Sequence, residues 1–112
     1  MEMKLTPRFY QDGERIFGPG VAELMQQVQV HRSLRSAAQA MEMAYSKAWR
    51  IIRNAEEGFG CKLLNSTIGG RNGGGAVLTP EGEQILAAYQ RFLADINAYS
   101  QARFQETFQD WI

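Results

Sequence analysis

The chain has 112 residues, 45% of them hydrophobic, and its 12 basic side chains balance 12 acidic ones, so the formal net charge is zero. That length supports one domain with its own apolar core, and the composition is that of a globular rather than a disordered protein. No apolar run approaches the ~18 residues of a membrane span, the first residues lack the basic-then-apolar design of a secretion signal, which makes the cytoplasm the expected location, and a lone Cys61 excludes an internal disulfide or a thiolate metal site.

Residues 5–17 alternate in polarity around Gln11-Asp12-Gly13-Glu14. Asp-Gly supplies two central residues that tolerate positive φ, so this spacing predicts a short two-stranded hairpin. Gly18-Pro19-Gly20 ends it, and Pro19 suits the first turn of a helix. That helix runs to about residue 32, with Val21, Leu24, Met25 and Val28 on one stripe. Residues 33–41 read as a short helix in which Ala37, Ala38 and Ala40 permit close helix approach. Glu42-Met43-Ala44 forms a turn, and a further helix covers residues 45–58, with Gly58 and Gly60 where it should stop.

Residues 62–67 and 76–79 read as two strands joined by a glycine-rich tip that carries Arg71 and Asn72. A last helix follows Thr79, its N-cap, with Pro80 first and Glu81 and Glu83 in the opening turn. In it Ile85, Tyr89, Phe92, Ile96 and Tyr99 step by four and three, the spacing of a coiled-coil seam. Leu86 and Leu93 widen that stripe, Arg103 interrupts it, and Phe104, Phe108, Trp111 and Ile112 start a second apolar cluster. A helix this apolar must bury its face, and a second copy of the chain is the expected partner.

The order of elements is that of a mainly α (α+β) winged helix-turn-helix with a long C-terminal dimerisation helix. The expected organisation is a single domain over 1–112: an N-terminal hairpin (1–17), three helices (18–60), a wing (61–79) and the long helix with its tail (80–112). On the second helix of the motif, residues placed at about 100° intervals put Lys47, Arg50, Arg53, Asn54 and Glu57 on one face with Ser46. Ala48, Ile51, Ile52, Ala55 and Phe59 occupy the opposite face, with Tyr45 and Trp49 at its edge. Cations and short hydrogen-bonding groups on a face clear of the core are what reaches phosphates and base edges in a major groove, so double-stranded DNA is the expected partner. Zero net charge hides an asymmetry that suits this: residues 30–75 hold seven Lys/Arg against three acids, and residues 81–112 hold two against five. Arg71 at a glycine-rich tip has no core to serve and is expected to reach a phosphate or a minor groove.

Other chemistry finds little purchase. The glycine run lacks the Lys-Ser/Thr of a phosphate-binding loop, since Ala76-Val77 follow it, and no strand-to-helix junction carries a dinucleotide fingerprint. One histidine, His31, and one cysteine make neither a zinc site nor a catalytic dyad; His31 reads as a surface residue at a helix end and Cys61 as a small buried filler. Glu56 and Glu57 sit about 100° apart on their helix and do not form an acid/base pair. No catalytic residue, metal or cofactor is expected. Two other readings remain open: a winged-helix docking module that uses the aromatic tail, and a small-ligand sensor built on Arg103 and Ser100.

The segment S-L-R-S-A-A-Q-A-M-E-M-A-Y-S-K-A-W over 33–49 resembles the helix-turn-helix of the ModE family of molybdate-responsive transcriptional regulators. T-I-G-G-R-N-G-G-G-A-V-L-T-P-E-G over 67–82 is similar to that family's wing and following helix start, and the resemblance runs over about 18–89. It implies a winged-helix domain that binds an operator and dimerises through its first and last helices. By position it implies DNA contacts from Tyr45, Ser46, Lys47 and Arg50, and from Arg71 and Asn72 on the wing, while Ala48 and Trp49 orient the helix by packing. Arg35 stands where the family places a small capping residue and is expected to add a phosphate contact. Glu42 replaces a turn glycine, and Ala44 a serine. Nothing here matches the family's C-terminal molybdate-binding domains, so molybdate binding is not expected of this chain, which is either a stand-alone member or a fragment of a longer sensor.

Overall fold

The apolar stripes of the helices and the inner faces of two small hairpins converge on one core. The computed structural model describes residues 1–67 and 75–112. In chain order it contains β1 (Phe9–Gln11), β2 (Glu14–Phe17), α1 (Pro19–His31), α2 (Leu34–Ala40), α3 (Tyr45–Phe59), β3 (Leu64–Thr67), β4 (Gly75–Leu78) and α4 (Pro80–Thr107). Phe17, Leu24, Met25, Val28, Ile52 and Leu63 are wholly buried at its centre. Ala37, Ala38, Ala48 and Ala55 are buried beside them, and their small side chains let α2 and α3 lie close together.

The β1–β2 hairpin turns on Asp12 (φ 52°) and Gly13 (φ 81°), the positive-φ pair that a two-residue turn demands. Its inner face packs on α3, where a side chain at Gly58 would run into Ile16. Gly58 is therefore a contact glycine inside α3 and not the stop expected from sequence; the helix ends one residue later, and Gly60 at φ 72° takes the left-handed position. Phe59, expected in the core, is 36% exposed and presents its edge to Phe17 at 5.5 Å. Cys61 is only half-buried.

Thr79 caps α4: its hydroxyl accepts from Gly82 N at 2.9 Å and donates to the Lys62 carbonyl at 2.6 Å. The 28 residues of α4 span about 42 Å, most of the 60 Å long axis of the protein. Only its first part enters the core, through Gly82, Leu86 and Tyr89. Tyr89, expected on the dimer seam, is instead an internal residue: its ring meets Phe17 at 5.0 Å and Phe9 at 5.6 Å, and its hydroxyl donates to the Pro7 carbonyl at 2.8 Å. Ile85 and Leu93 are half-buried against the same core. Arg103 interrupts the apolar series and not the helix: it is exposed within α4 and pairs with Glu106 at 2.9 Å on the surface. Residues 1–8 run along α4, tied by a bond from the Gln101 amide to the Met3 carbonyl at 2.7 Å. Among the described residues no helix is long and apolar enough to cross a membrane.

Burial pushes the Tyr89 phenol above its ordinary value near 10, with Arg8 partly opposing the shift. The folded chain thus keeps a proton that the unfolded chain loses. Stability carried by Tyr89 is complete below about pH 10 and falls as pH rises through the folded-state value. Denaturant titrations from about pH 9 to about pH 11 are expected to show this loss in the wild type. Tyr89→Phe, less stable at neutral pH by about 1 kcal/mol for the missing hydrogen bond, should show a shallower decline.

Candidate nucleic-acid interface

The motif is built around a turn that sets α3 across α2. Ser33 caps α2, its Oγ accepting from Ser36 N at 3.1 Å. The cap is thus Ser33, which leaves the following Arg35 free of any capping duty. After α2 the backbone swings through Glu42 at φ 55°, and Met43 N donates to the Ala38 carbonyl at 2.9 Å. Glu42 therefore stands in the left-handed conformation that favours glycine. Ala44 enters α3 with no side-chain cap.

α3 then divides into two faces. Ala48, Ile52 and Ala55 are buried, Ile51 is half-buried beside them, and Tyr45 and Trp49 are half-buried at the edge. Ser46, Lys47, Arg50, Arg53 and Glu57 are exposed and Asn54 is half-buried. Tyr45, Ser46, Arg50, Arg53 and Asn54 line one shallow groove along this face, together with Glu57. Among the described residues the ion pairs are Lys4–Glu2 and Arg103–Glu106, and neither touches the groove. The face is not uniformly basic: Glu57 shares a notch with Asp12 and Glu14 of the first hairpin, so its far end is acidic.

Tertiary packing brings Arg35 to the same place. Its guanidinium carbon lies 4.2 Å from the centroid of the Tyr45 ring, Tyr45 meets Trp49 edge-on at 6.3 Å, and Arg53 lies 5.8 Å from the Trp49 centroid. The second hairpin stands alongside. β3 and β4 pair from Leu64↔Leu78 to Thr67↔Gly75. Ala76 N donates to the Arg32 carbonyl at 3.0 Å and ties the strands to the end of α1. Thr67 and Gly75 line one cleft with Arg35, Ser36 and Tyr45, so the wing base abuts the start of α3. Arg71 and Asn72, expected at the wing tip, lie outside the described residues.

Sequence reasoning missed Glu56. Its carboxylate accepts from Leu63 N at 2.9 Å and holds the chain where it leaves α3 for the wing. Nothing in its spacing marks that role, because the partner is a backbone group. The residues proposed for a ligand sensor are spent locally: Ser100 Oγ donates to the Asn97 carbonyl at 3.2 Å, and Arg103 pairs with Glu106. His31 shares a hydrogen bond with Gln27, one helical turn away. Among the described residues no group of His, Cys, Asp and Glu is arranged for a metal ion.

A helix pair at a fixed turn, a bare polar face on the second helix, a β-wing beside it and a long trailing helix define a winged helix-turn-helix domain. The chain belongs to the bacterial regulatory helix-turn-helix proteins of the LysR family, whose pattern it matches over residues 22–83. It is 37% identical over 57 residues to the molybdenum-pterin-binding protein MopB of Rhodobacter capsulatus, covering 51% of this chain and 21% of MopB. It is 29% identical over 110 residues to the transcriptional regulator ModE of Yersinia pestis, covering 98% of this chain and 38% of that regulator. The DNA-binding transcriptional dual regulator ModE of Escherichia coli K12 matches at 27% over 89 residues, 80% of this chain and 32% of its own length. The ModE-like character expected from the motifs is thus borne out, and the chain spans well under half the length of these relatives. The crystal structure of a BenM DNA-binding domain on benA site 1 DNA shares the fold, with a TM-score of 0.55 at 23% identity over 79% of this chain and 93% of that one.

The turn yields a direct expectation. Glu42→Gly relieves a left-handed residue at the motif's hinge and should stabilise the fold by up to about 1 kcal/mol after the entropic cost of glycine. Thermal melting should register this as a rise of a few degrees, about 4 °C at most.

Proposed function

We propose that this chain is a sequence-specific, double-stranded-DNA-binding domain of a transcriptional regulator that acts as a homodimer on a pseudo-palindromic operator. One observation carries the reading: α3 presents Ser46, Lys47, Arg50 and Arg53 on an exposed face that no described carboxylate neutralises by an ion pair. Such a face does nothing for the stability of the isolated domain, and it fits the width and donor–acceptor pattern of a major groove. Arg50, at the centre of the face, reads base edges; Lys47, Arg53, Arg35 and the wing residues Arg71 and Asn72 hold the backbone; Tyr45 and Ser46 contact the strand at the helix start. The titles of the BenM structures, which are DNA complexes, support the same reading, as does the regulatory role in the names of the ModE relatives. A regulator of this kind works where the chromosome is, which in bacteria is the cytoplasm.

Dimerisation is assigned to the outer side of α4. Phe92 is 45% exposed and Tyr99 71% exposed, and an almost wholly apolar hollow of about 310 Å³ lies between Phe9, Phe59, Ile85, Ala88, Tyr89 and Phe92. Ile85, Phe92, Ile96 and Tyr99 remain available for that seam, with Tyr89 supporting it from beneath. Pairing two copies there would let two α3 helices enter successive major grooves about 34–36 Å apart.

Three measurements check the reading. Arg50→Ala is expected to weaken binding to a duplex selected by the wild-type chain from a randomised library by about 1–3 kcal/mol, with little change on random duplex. Arg71→Ala should weaken all duplexes alike and lower the slope of log affinity against log salt by about 1. Phe92→Lys should move the chain from dimer to monomer in sedimentation equilibrium; an unchanged dimer would assign the seam elsewhere. If the wild type retains no duplex at low salt while folded and dimeric, the domain is a docking module that uses its exposed aromatic tail.

A further inference from the structure

We infer that Arg35 and Tyr45 form a preset clamp for one phosphodiester group of bound DNA, seated in the cleft between α2, the start of α3 and the wing base. The inference rests on the DNA-binding reading above and says which part of the surface fixes the strand. The cleft encloses about 380 Å³ and is lined by Ser36 and Gln39 of α2, Tyr45 and Trp49 of α3, and Ser66 and Thr67 of β3, with Arg35 beside them. Among the described residues its lining contains no carboxylate, and Arg35 is the one charged group there. Neutral hydroxyl and amide donors around a single guanidinium suit an anion. The notch at the other end of α3, with Asp12, Glu14 and Glu57, repels one.

The guanidinium is also held in place before anything binds. It lies over the Tyr45 ring at 4.2 Å, and that ring is braced edge-on by Trp49 at 6.3 Å. Arg53 lies 5.8 Å from the Trp49 centroid, so a pair of rings is flanked by two cations, Arg35 from α2 and Arg53 from α3. A flat guanidinium resting on a ring gives up little rotamer freedom on binding and keeps its N–H edges for two parallel bonds to phosphate oxygens. Lysine carries the same charge without the planar fork or the stack. Ser46 follows Tyr45 directly in α3, and Arg50 lies little more than one helical turn further on. A backbone group fixed at Arg35–Tyr45 therefore sets the register in which those two side chains meet the bases. Arg35 is in this sense a positioning residue whose loss reduces discrimination as well as affinity.

The test uses the full chain, a duplex selected by the wild type from a randomised library, and a random duplex, each titrated across salt. Arg35→Lys is expected to weaken the selected duplex about fivefold or more while keeping the wild-type salt slope, because the charge remains and the fork and stack are lost. Arg35→Ala should weaken it at least as much and lower the slope by about 1. Tyr45→Leu should behave like Arg35→Lys, and circular dichroism melts show whether it is folded; Arg35→Lys, at an exposed site, decides the matter if it is not. Wild-type affinity and discrimination in Arg35→Lys overturn the clamp and leave the DNA-binding reading standing. A folded wild-type chain that selects no sequence and retains no random duplex at low salt overturns that reading, and the clamp with it.

Discussion

Everything that positions α3 and the wing depends on a small polar knot around Leu63 and Thr79. Thr79 is 4% exposed; its backbone N–H donates to the Leu63 carbonyl at 2.9 Å, its hydroxyl donates to Lys62, and it caps α4 through Gly82. On the other side of Leu63, its N–H is taken up by Glu56 of α3. The end of α3, both strands of the wing and the start of α4 thus share one set of hydrogen bonds, and buried polar groups of this kind are costly to leave unpaired. Gly82 is part of the knot, because any side chain there would collide with the Leu63 carbonyl.

With that corner secured, the helix-turn-helix is left with a division of labour within a single helix. α3 stabilises the domain through Ala48, Ile52 and Ala55 and keeps its other side bare. Small residues matter as much as large ones here. The fully buried Ala37 and Ala48 lie on the two helices of the motif, and close helix approach is what carries Arg35 of α2 over the Tyr45 ring of α3. A surface arginine becomes part of the interface through the core beneath it.

α4 shows the same separation along its length rather than around it. Its first turns belong to the core through Leu86 and Tyr89, whereas the remainder lies along the first eight residues of the chain and leaves Phe92 and Tyr99 exposed. Tyr89 joins the two regimes: its ring closes the aromatic cluster with Phe9 and Phe17, and its hydroxyl holds the N-terminal segment at Pro7. A seam read off four-three spacing could not make this distinction, because spacing says which residues share a face and not how much of that face the protomer itself covers.

The amino-acid sequence by itself determined the order and nature of the elements, since those rest on local chemistry. Asp12-Gly13 suits positive φ, Thr79-Pro80 opens a helix, Val21, Leu24, Met25 and Val28 form a stripe, and the polar face of α3 follows from 3.6-residue periodicity. Only the tertiary structure decided what those faces meet. It made Gly58 a packing contact with Ile16, buried most of Tyr89 within the protomer, left Phe59 part-exposed, gave Glu56 a backbone partner seven residues away and set Arg35 on Tyr45. Periodicity is a property of one element, whereas burial, ring stacking and bonds to distant backbone depend on the distance between elements. That distance is set by the packing of the whole core.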